Sequence, residues 1–365
     1  MNFDYSEATI KRIVILYSEL SSYFLSGLQK VAGNEQVTVI HWGTNEATPF
    51  ELHHPPSVAF YHKDNFPFAR LLAFVDSLKP DLLFCGGWMD KDYLRISYKF
   101  RNRCPIILAM DNIWKGTMRQ YAGIVVSRLF FKRIFTHMWV SGEPQLSFAK
   151  KLGYQDNRIL KGNYSGDYDF FNAQFQLQMQ NKKRNFPHKF LYVGRYSAEK
   201  GIELLCEVIE ELSNENRLGD WELLCVGAGP DRQQYKDGKS IKHLGFIQPK
   251  NFAPIIQLTG VFILPSLTEP WGVVVHEFAA AGFPLICSSE VGAASEFLQH
   301  ETNGVLFKAG DKEELRRAIL HIIQMSDNEL YKMSLHSADL ASRITPTGWY
   351  NTMIQLIELT ERDNT

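Results

Sequence analysis

Short, uninterrupted apolar runs recur along this chain, and each is followed by an amphipathic stretch with helical spacing. Runs of about five apolar residues are too short for buried helices and fit strands covered on both faces. In the first half the expected strands are Arg12–Tyr17, Val37–His41, Leu82–Cys85, Ile106–Met110 and Met138–Val140. Helices are expected between them, among them Ser21–Val31 and Phe68–Leu78. In the second half strands are expected at Lys189–Val193, Trp221–Val226, Lys242–Leu244, Val261–Leu264 and Pro284–Ser288, with helices at Ile202–Glu211, Val274–Ala281 and Lys312–Met325. Strands alternating with helices make parallel sheets and an α/β fold.

A chain of 365 residues is long enough for two such domains, each with its own core. The stretch NAQFQLQMQNKKRNFP (172–187) is polar without a clear apolar face and reads as the connection between them. The reading is therefore a first domain over residues 1–175, a linker over 176–187 and a second domain over 188–348. Residues 349–365 form a last helix, expected to return to the first domain. Lys and Arg outnumber Asp and Glu by 20 to 16 in residues 1–180, and the balance reverses to 19 against 24 thereafter. The formal net charge is −1, which does not single out nucleic acid as a partner. Cys85, Cys104, Cys206, Cys225 and Cys287 are scattered without CxxC spacing, so they read as reduced core residues. The histidines lack ligand spacing; His53 and His54 are adjacent in a stretch that reads as loop. The N-terminal stretch is expected not to be a signal peptide, and no apolar run approaches the length of a bilayer span.

The most informative segment runs from Pro265 to Phe307, PSLTEPWGVVVHEFAAAGFPLICSSEVGAASEFLQHETNGVLF. The apolar VFIL ends in a loop, Pro265–Gly272, and a helix starts near Val273 or Val274. Loops at the carboxyl ends of parallel strands are where open α/β sheets bind ligands. A helix N-terminus there offers free N–H groups and a positive dipole end, suited to a diphosphate. Gly272 allows close backbone approach. Glu269 in the loop and Glu277, placed on the first helical turn, could both accept from sugar hydroxyls. Taken alone, Glu277 is as well read as a solvated helix residue, and His276 as a surface or packing residue.

Glu269-PWGVVVH-Glu277-FAAAG-Phe283-Pro284 resembles the donor-site signature of glycosyltransferase family 4, the retaining GT-B enzymes also called glycosyl transferases group 1. Three more elements fall in that family's order: YVGRYSAEKG (192–201), LLCVGAGPD (223–231) and HLGFI (243–247). The resemblance covers nearly the whole second half. It implies two Rossmann-like domains facing across a cleft. It also implies that Arg195 and Lys200 bind a donor diphosphate, Glu277 holds the ribose, and Glu269 contacts the transferred sugar. By the same resemblance, Pro270, Trp271, Gly272 and Val273 border sugar and phosphate, Ile247 lies against the base, and Gly227 and Gly229 lie near the nucleotide. Read by itself, Gly227-Ala-Gly229 after a strand is a weak dinucleotide signal, because the third glycine position is Arg232.

The first half departs from the family. After the first strand it has YSELSSYF (17–24) with no glycine, and Ser18, Glu19 or Ser21 are the candidates to serve in its place. Where relatives have His-Asp, this chain has Met110-Asp111. Asp111 is the candidate to position or deprotonate the acceptor hydroxyl, with helix N-capping as the equal alternative. Asn112, Trp114, Lys115 and Gly116, and Gly86, Gly87 and Trp88, are candidates for the same wall. GIVVSRLFFKRIF (123–135) reads either as a basic amphipathic helix suited to anionic lipid or as a buried crossover helix.

The expected reaction is therefore transfer of a sugar from a nucleotide donor to a hydroxyl with retention, in surface polysaccharide or glycoconjugate assembly. The acceptor is a sugar or lipid-linked sugar. No cofactor and no metal are expected, since the nucleotide sugar is itself a substrate and the DKD of Asp90 and Asp92 reads as a helix start. The chain is expected in the cytoplasm, with peripheral contact at the inner membrane face through its first domain. The alternatives are another GT-B enzyme, an epimerase or phosphorylase, or a non-catalytic nucleotide-sugar-binding subunit.

Overall fold

A computed structural model describes residues 10–42 and 51–363. The chain divides into two compact units. The first comprises residues up to Ser141, Gln145–Asn163 and the stretch from Pro346; the second comprises Gly142–Pro144 and Tyr164–Thr345.

The first unit holds seven strands: β1 Arg12–Tyr17, β2 Gln36–His41, β3 Val58–His62, β4 Leu82–Cys85, β5 Ile106–Met110, β6 His137–Val140 and β7 Ile159–Lys161. They form one sheet in the order β3-β2-β1-β4-β5-β6-β7, with every pair parallel. The order reverses between β1 and β4, so the crevice of this sheet opens at the carboxyl ends of those strands. The central strands are buried along their whole length, which explains their continuous apolar sequence. The helix Pro346–Asp363 belongs to this unit. Trp349 fixes it: its ring stacks on Trp139 at 5.4 Å, touches the face of the helix Ser22–Ala32 at Gly27, and its Nε1–H donates to the Asn163 carbonyl at 3.1 Å.

The second unit holds six strands: β8 Lys189–Val193, β9 Glu222–Val226, β10 Ile241–Gly245, β11 Val261–Leu264, β12 Leu285–Ser288 and β13 Gly304–Phe307. Their order is β10-β9-β8-β11-β12-β13, again all parallel, with the reversal at β8 and β11.

Two sequence expectations change here. Residues 176–187 are not an extended linker, because a helix runs from Tyr168 to Arg184 and packs into the second unit. Only Phe171, Phe175 and Lys182 of that helix are buried, so its apolar face is too sparse to see as a period. Lys182 behaves as a core residue: its amino group donates to the Gly282 carbonyl at 3.0 Å and sits 4.0 Å over the Phe283 ring. Burial pushes its pKa down to about 7. The chain consequently passes between units at Asn163–Tyr164 and Thr345–Pro346, not near 175 and 348. The strands β3, β7 and β13 also escaped the sequence reading. All three lie at sheet edges and are partly exposed; β3 and β7 each end in a polar residue, whereas the short GVLF of β13 is an unbroken apolar run. All five cysteines are free and buried.

Candidate functional site in the second unit

The loops after β8 and β11 flank the sheet reversal, and both carry candidate residues. After β8 the backbone turns through Gly194-Arg195-Tyr196-Ser197 into a short 3-10 turn, Ala198–Lys200. Gly201 follows at φ 65°, where a side chain would also press on the Pro265 carbonyl, and the helix Ile202–Asn214 begins. That glycine lets the Lys200 turn lie directly against the loop after β11, an approach sealed by the Leu267 N–H donating to the Glu199 carbonyl at 2.8 Å. The result brings two predicted residues together: Lys200 Nζ and a carboxylate oxygen of Glu269 form a close ion pair, largely shielded from solvent.

Glu269 is held at both its backbone groups. Its N–H donates to the Glu290 carbonyl at 3.2 Å, and its carbonyl accepts from Gly292 N–H at 3.0 Å. Gly272 has φ 88° and supports the Glu269 stem from below, since a Cβ there would come within 2.9 Å of Glu269 Cγ. Gly272 is also the N-cap of the helix Val273–Ala280, and that cap has no side chain to close the first turn. The site thus sets an ion-paired lysine and glutamate beside an uncapped helix N-terminus, a combination that suits an anionic ligand carrying hydroxyls. The Trp271 side chain is buried in the core, and its Nε1–H finds no hydrogen-bond partner among the described residues; its carbonyl accepts from Ala293 N–H at 2.8 Å. Val273 is partly buried against the same core.

Glu277 falls in the second turn of that helix, not the first as its sequence position suggested. Its carboxyl faces the Gly166–Asp167 turn: a Cβ on Gly166 would lie 2.8 Å from Glu277 Cγ. Burial and the nearby Asp167 carboxylate raise its pKa to about 8, against a lowering hydrogen bond from the Asp167 backbone. The carboxyl therefore keeps its proton at neutral pH and can donate as well as accept. Its neighbour His276 is a core residue. Nδ1 accepts from Gly166 N–H at 2.9 Å, Nε2 donates to the Ala341 carbonyl at 3.0 Å, and the ring stacks on Phe297 at 4.4 Å. Burial lowers its pKa to about 4, so the ring is neutral. The Gly166–Asp167 turn was missed as part of this environment; its signal was Asp167 ahead of YDFF, where it caps the following helix by accepting from Phe170 N–H.

Gly227 and Gly229 are needed for packing. A Cβ on Gly227 would stand 1.9 Å from the Gly194 carbonyl oxygen, and one on Gly229 2.3 Å from the Tyr196 carbonyl oxygen. The loop after β9 thereby lies flush on the loop after β8, with Tyr196 N–H donating to the Ala228 carbonyl at 2.9 Å. Arg195 is exposed on this surface, and Ile247 is partly buried beyond β10.

In the first unit Asp111 directly follows β5 and is half-buried. It caps no helix. The next helix, Met118–Val126, is capped by Thr117 in a reciprocal arrangement with Gln120. The Asp111 carbonyl accepts from Gln145 Nε2–H at 3.1 Å. Its charge is felt by Tyr17, whose hydroxyl pKa is raised chiefly by burial and further by Tyr23 and Asp111. Tyr17 in turn is why Gly86 is glycine, since a Cβ there would meet the Tyr17 ring at 2.6 Å. Ser21 is an N-cap, accepting from Phe24 N–H, and Ser18 gives its carbonyl to Trp42 N–H at 2.9 Å. Asp90 is the N-cap of the helix Lys91–Phe100 and is paired with Lys63, which settles the DKD as a helix start. Among the described residues no group of His, Cys, Asp and Glu is arranged to hold a metal ion.

Two parallel-sheet units with a ligand-type loop cluster at the second sheet's reversal define the GT-B class of glycosyltransferase folds. Residues 187–325 match the family model of the glycosyl transferases group 1. A sucrose-phosphate synthase from Thermosynechococcus elongatus superposes with a TM-score of 0.73 at 16% identity, covering 97% of this chain and 100% of that one. The HepE protein of Anabaena in complex with UDP and glucose superposes with a TM-score of 0.69 at 17% identity, covering 94% and 99%. By sequence, an uncharacterized glycosyltransferase of Methanocaldococcus jannaschii is 32% identical over 122 residues, 32% of this chain and 30% of the relative. The 2-deoxystreptamine N-acetyl-D-glucosaminyltransferase of Niallia circulans is 28% identical over 174 residues, 46% of this chain and 44% of the relative. The chain thus spans less than half the length of these two relatives. The fold is thus that of the GT-B class, and the second half is similar in sequence to the glycosyl transferases group 1.

Proposed function

We propose that the chain transfers a sugar from a nucleoside diphosphate donor to a hydroxyl acceptor with retention of anomeric configuration, in surface polysaccharide or glycoconjugate assembly. The observation that carries this is the Lys200–Glu269 pair set beside the uncapped helix N-terminus at the β8/β11 reversal. In this reading Lys200 and Arg195 neutralise the diphosphate as it leaves, aided by the amides of Gly272 and Val273. Glu269 is released from Lys200 to accept from the transferred sugar. The protonated Glu277 engages the ribose hydroxyls as donor and acceptor. Pro270 and Trp271 shape the sugar subsite through their backbone, Ile247 packs on the base, and Gly227 and Gly229 keep the floor low.

Retention follows from same-face displacement. The acceptor oxygen bonds to the anomeric carbon as the bond from that carbon to the phosphate oxygen breaks, and the acceptor proton passes to the departing phosphate. Asp111 orients the acceptor hydroxyl. The acceptor is a lipid-linked sugar, met at the inner face of the membrane through the first unit. The relatives and neighbours support the donor class, since HepE is held with UDP and glucose and the N. circulans enzyme is named for sugar transfer.

The test is product analysis with UDP-, GDP- and ADP-sugars and candidate acceptors. A product whose anomeric configuration matches the donor is expected, with Glu277→Ala and Lys200→Ala losing most transfer while keeping the native circular dichroism spectrum. Unchanged turnover in either variant removes the site assignment. Epimerisation of donor without acceptor would replace the proposal with an epimerase.

A further inference from the structure

The helix that follows Asp111 is apolar on its outer face as well as its inner one. Residues 118–134 form one continuous helical stretch, Met118–Val126, a π-helical turn Ser127–Phe131 and Lys132–Ile134. An ordinary surface helix buries its apolar stripe and shows water its polar residues. Here Met118 is 83% exposed, Tyr121 55%, Val125 58%, Leu129 51% and Phe130 58%. The side turned to the protein packs Ile124, Phe131 and Ile134 against the core and also holds Ser127, buried, with its hydroxyl donating to the Leu152 carbonyl at 3.0 Å. The π turn accounts for part of this. Its wider spacing turns Ser127 inward while leaving the adjacent Leu129 and Phe130 both facing out.

The charge carried by this segment has one sign. Between Asp111 and Glu143 the sequence has no acidic residue, but it has Lys115, Arg119, Arg128, Lys132 and Arg133. All five are exposed. The Arg128 and Lys132 side chains pass over Gly153, within 3.5 Å of where a Cβ on that glycine would stand. An exposed apolar ridge on a segment that carries only cations is complementary to a surface that is apolar inside and anionic at its border. A protein partner would have to match the same pattern with an acidic ring, whereas an anionic bilayer does so along its whole plane. No described helix is long and apolar enough to cross a membrane, so such contact lies in the interface.

The face is also joined to the candidate acceptor loops. Tyr121 meets Trp114 edge to face at 5.0 Å, next to Asp111, and Phe131 stacks with Trp88 at 5.8 Å after β4. We infer that residues 118–134 are an anionic-lipid docking surface that lays the acceptor loops of the first unit on the bilayer. The inference deepens the proposed glycosyl transfer by giving the lipid-linked acceptor its site of presentation, but the docking itself does not require that reaction.

Co-sedimentation of the full chain with vesicles tests it without donor or acceptor. Phosphatidylcholine vesicles are compared with vesicles containing about 30% phosphatidylglycerol, at low and high salt. Binding to the anionic vesicles alone, weakened by salt, is expected. Leu129→Glu combined with Phe130→Glu, and separately Arg128→Ala combined with Arg133→Ala, should each reduce the bound fraction by about tenfold or more. Their thermal melts and nucleotide-sugar affinity should stay those of the parent. Lack of binding to either vesicle, equal binding to both, or retention of binding by both variants would overturn the inference. So would a stable dimer in sedimentation velocity that the Leu129→Glu, Phe130→Glu variant dissolves, because a second copy would then own this face. Loss of glycosyl transfer without loss of vesicle binding would count against the enzymatic proposal alone.

Discussion

The loops at the reversal of the second sheet and those at the reversal of the first differ in how they are built. In the second unit glycines let backbone lie on backbone: Gly201 on Pro265, Gly227 on Gly194, Gly229 on Tyr196, Gly292 on Pro270. The polar side chains there are fixed by ion pairing and by neighbouring strand-end loops, as Glu269 is. In the first unit the corresponding loops are spaced by aromatic rings, Tyr17 against Gly86, Trp88 on Phe131, and Trp114 between Tyr121 and Phe148. A backbone-walled site can serve one invariant group, a diphosphate, and allows few sequences. A ring-walled site can be reshaped by changing rings, which suits an acceptor that varies. That contrast is the physical reason the second half reads as a motif and the first does not.

The largest effect that could break this contrast is in stability. Gly227→Ala drives a methyl into a carbonyl oxygen at 1.9 Å and should cost about 3 kcal/mol or more in chemical denaturation. Gly87→Ala in the first unit meets no atom within 4 Å and should cost only about 1 kcal/mol, from its φ of 148°. Equal costs would mean that the two loop sets are built alike. In catalysis, Asp111→Asn should slow transfer by about a hundredfold while leaving donor affinity unchanged, since Asp111 belongs to the ring-walled side and caps no helix. A fall in donor affinity or melting temperature that matches the fall in rate would assign it a structural role instead.

A pH-dependent effect sharpens the description of Glu277. Its folded pKa of about 8 lies above that of an unfolded glutamate. Below the unfolded value both states hold the proton; as pH rises from there toward 8 the unfolded state loses it first, so unfolding is progressively favoured. The Glu277→Gln variant lacks that term. Its stability relative to the parent should rise between about pH 4.5 and 8 and then level off, with a total on the order of 5 kcal/mol. Urea titrations at several pH values would show it, and a flat difference would mean that the carboxyl is ionised in the folded protein.

Much of the fold was legible because fully buried parallel strands are written as unbroken apolar runs: Leu82–Cys85, Ile106–Met110 and Val261–Leu264 fall where the sequence put them. The edge strands Val58–His62 and Ile159–Lys161 were not, since they are short and end in polar residues, and Gly304–Phe307, though apolar, has only four residues and starts on a glycine. The helix Tyr168–Arg184 was hidden by Lys182, a charged residue serving as core. In the site, Lys200 and Glu269 could be named from the family resemblance, but not their pairing, which depends on the approach at Gly201. His276 and Glu277 show the limit most clearly. Adjacent in sequence and both polar, one ends neutral in the core by burial and the other protonated beside Asp167, and only packing from Gly166 and Ala341 decides which.

The central claim is that the loops after β8 and β11 form the donor site. It is tested most directly by calorimetric binding of UDP-, GDP- and ADP-sugars to the parent chain and to Lys200→Ala. At least one nucleotide sugar should bind the parent, and the variant should bind it about ten- to a hundredfold more weakly with its melting temperature little changed. Equal affinity for parent and variant would contradict the account.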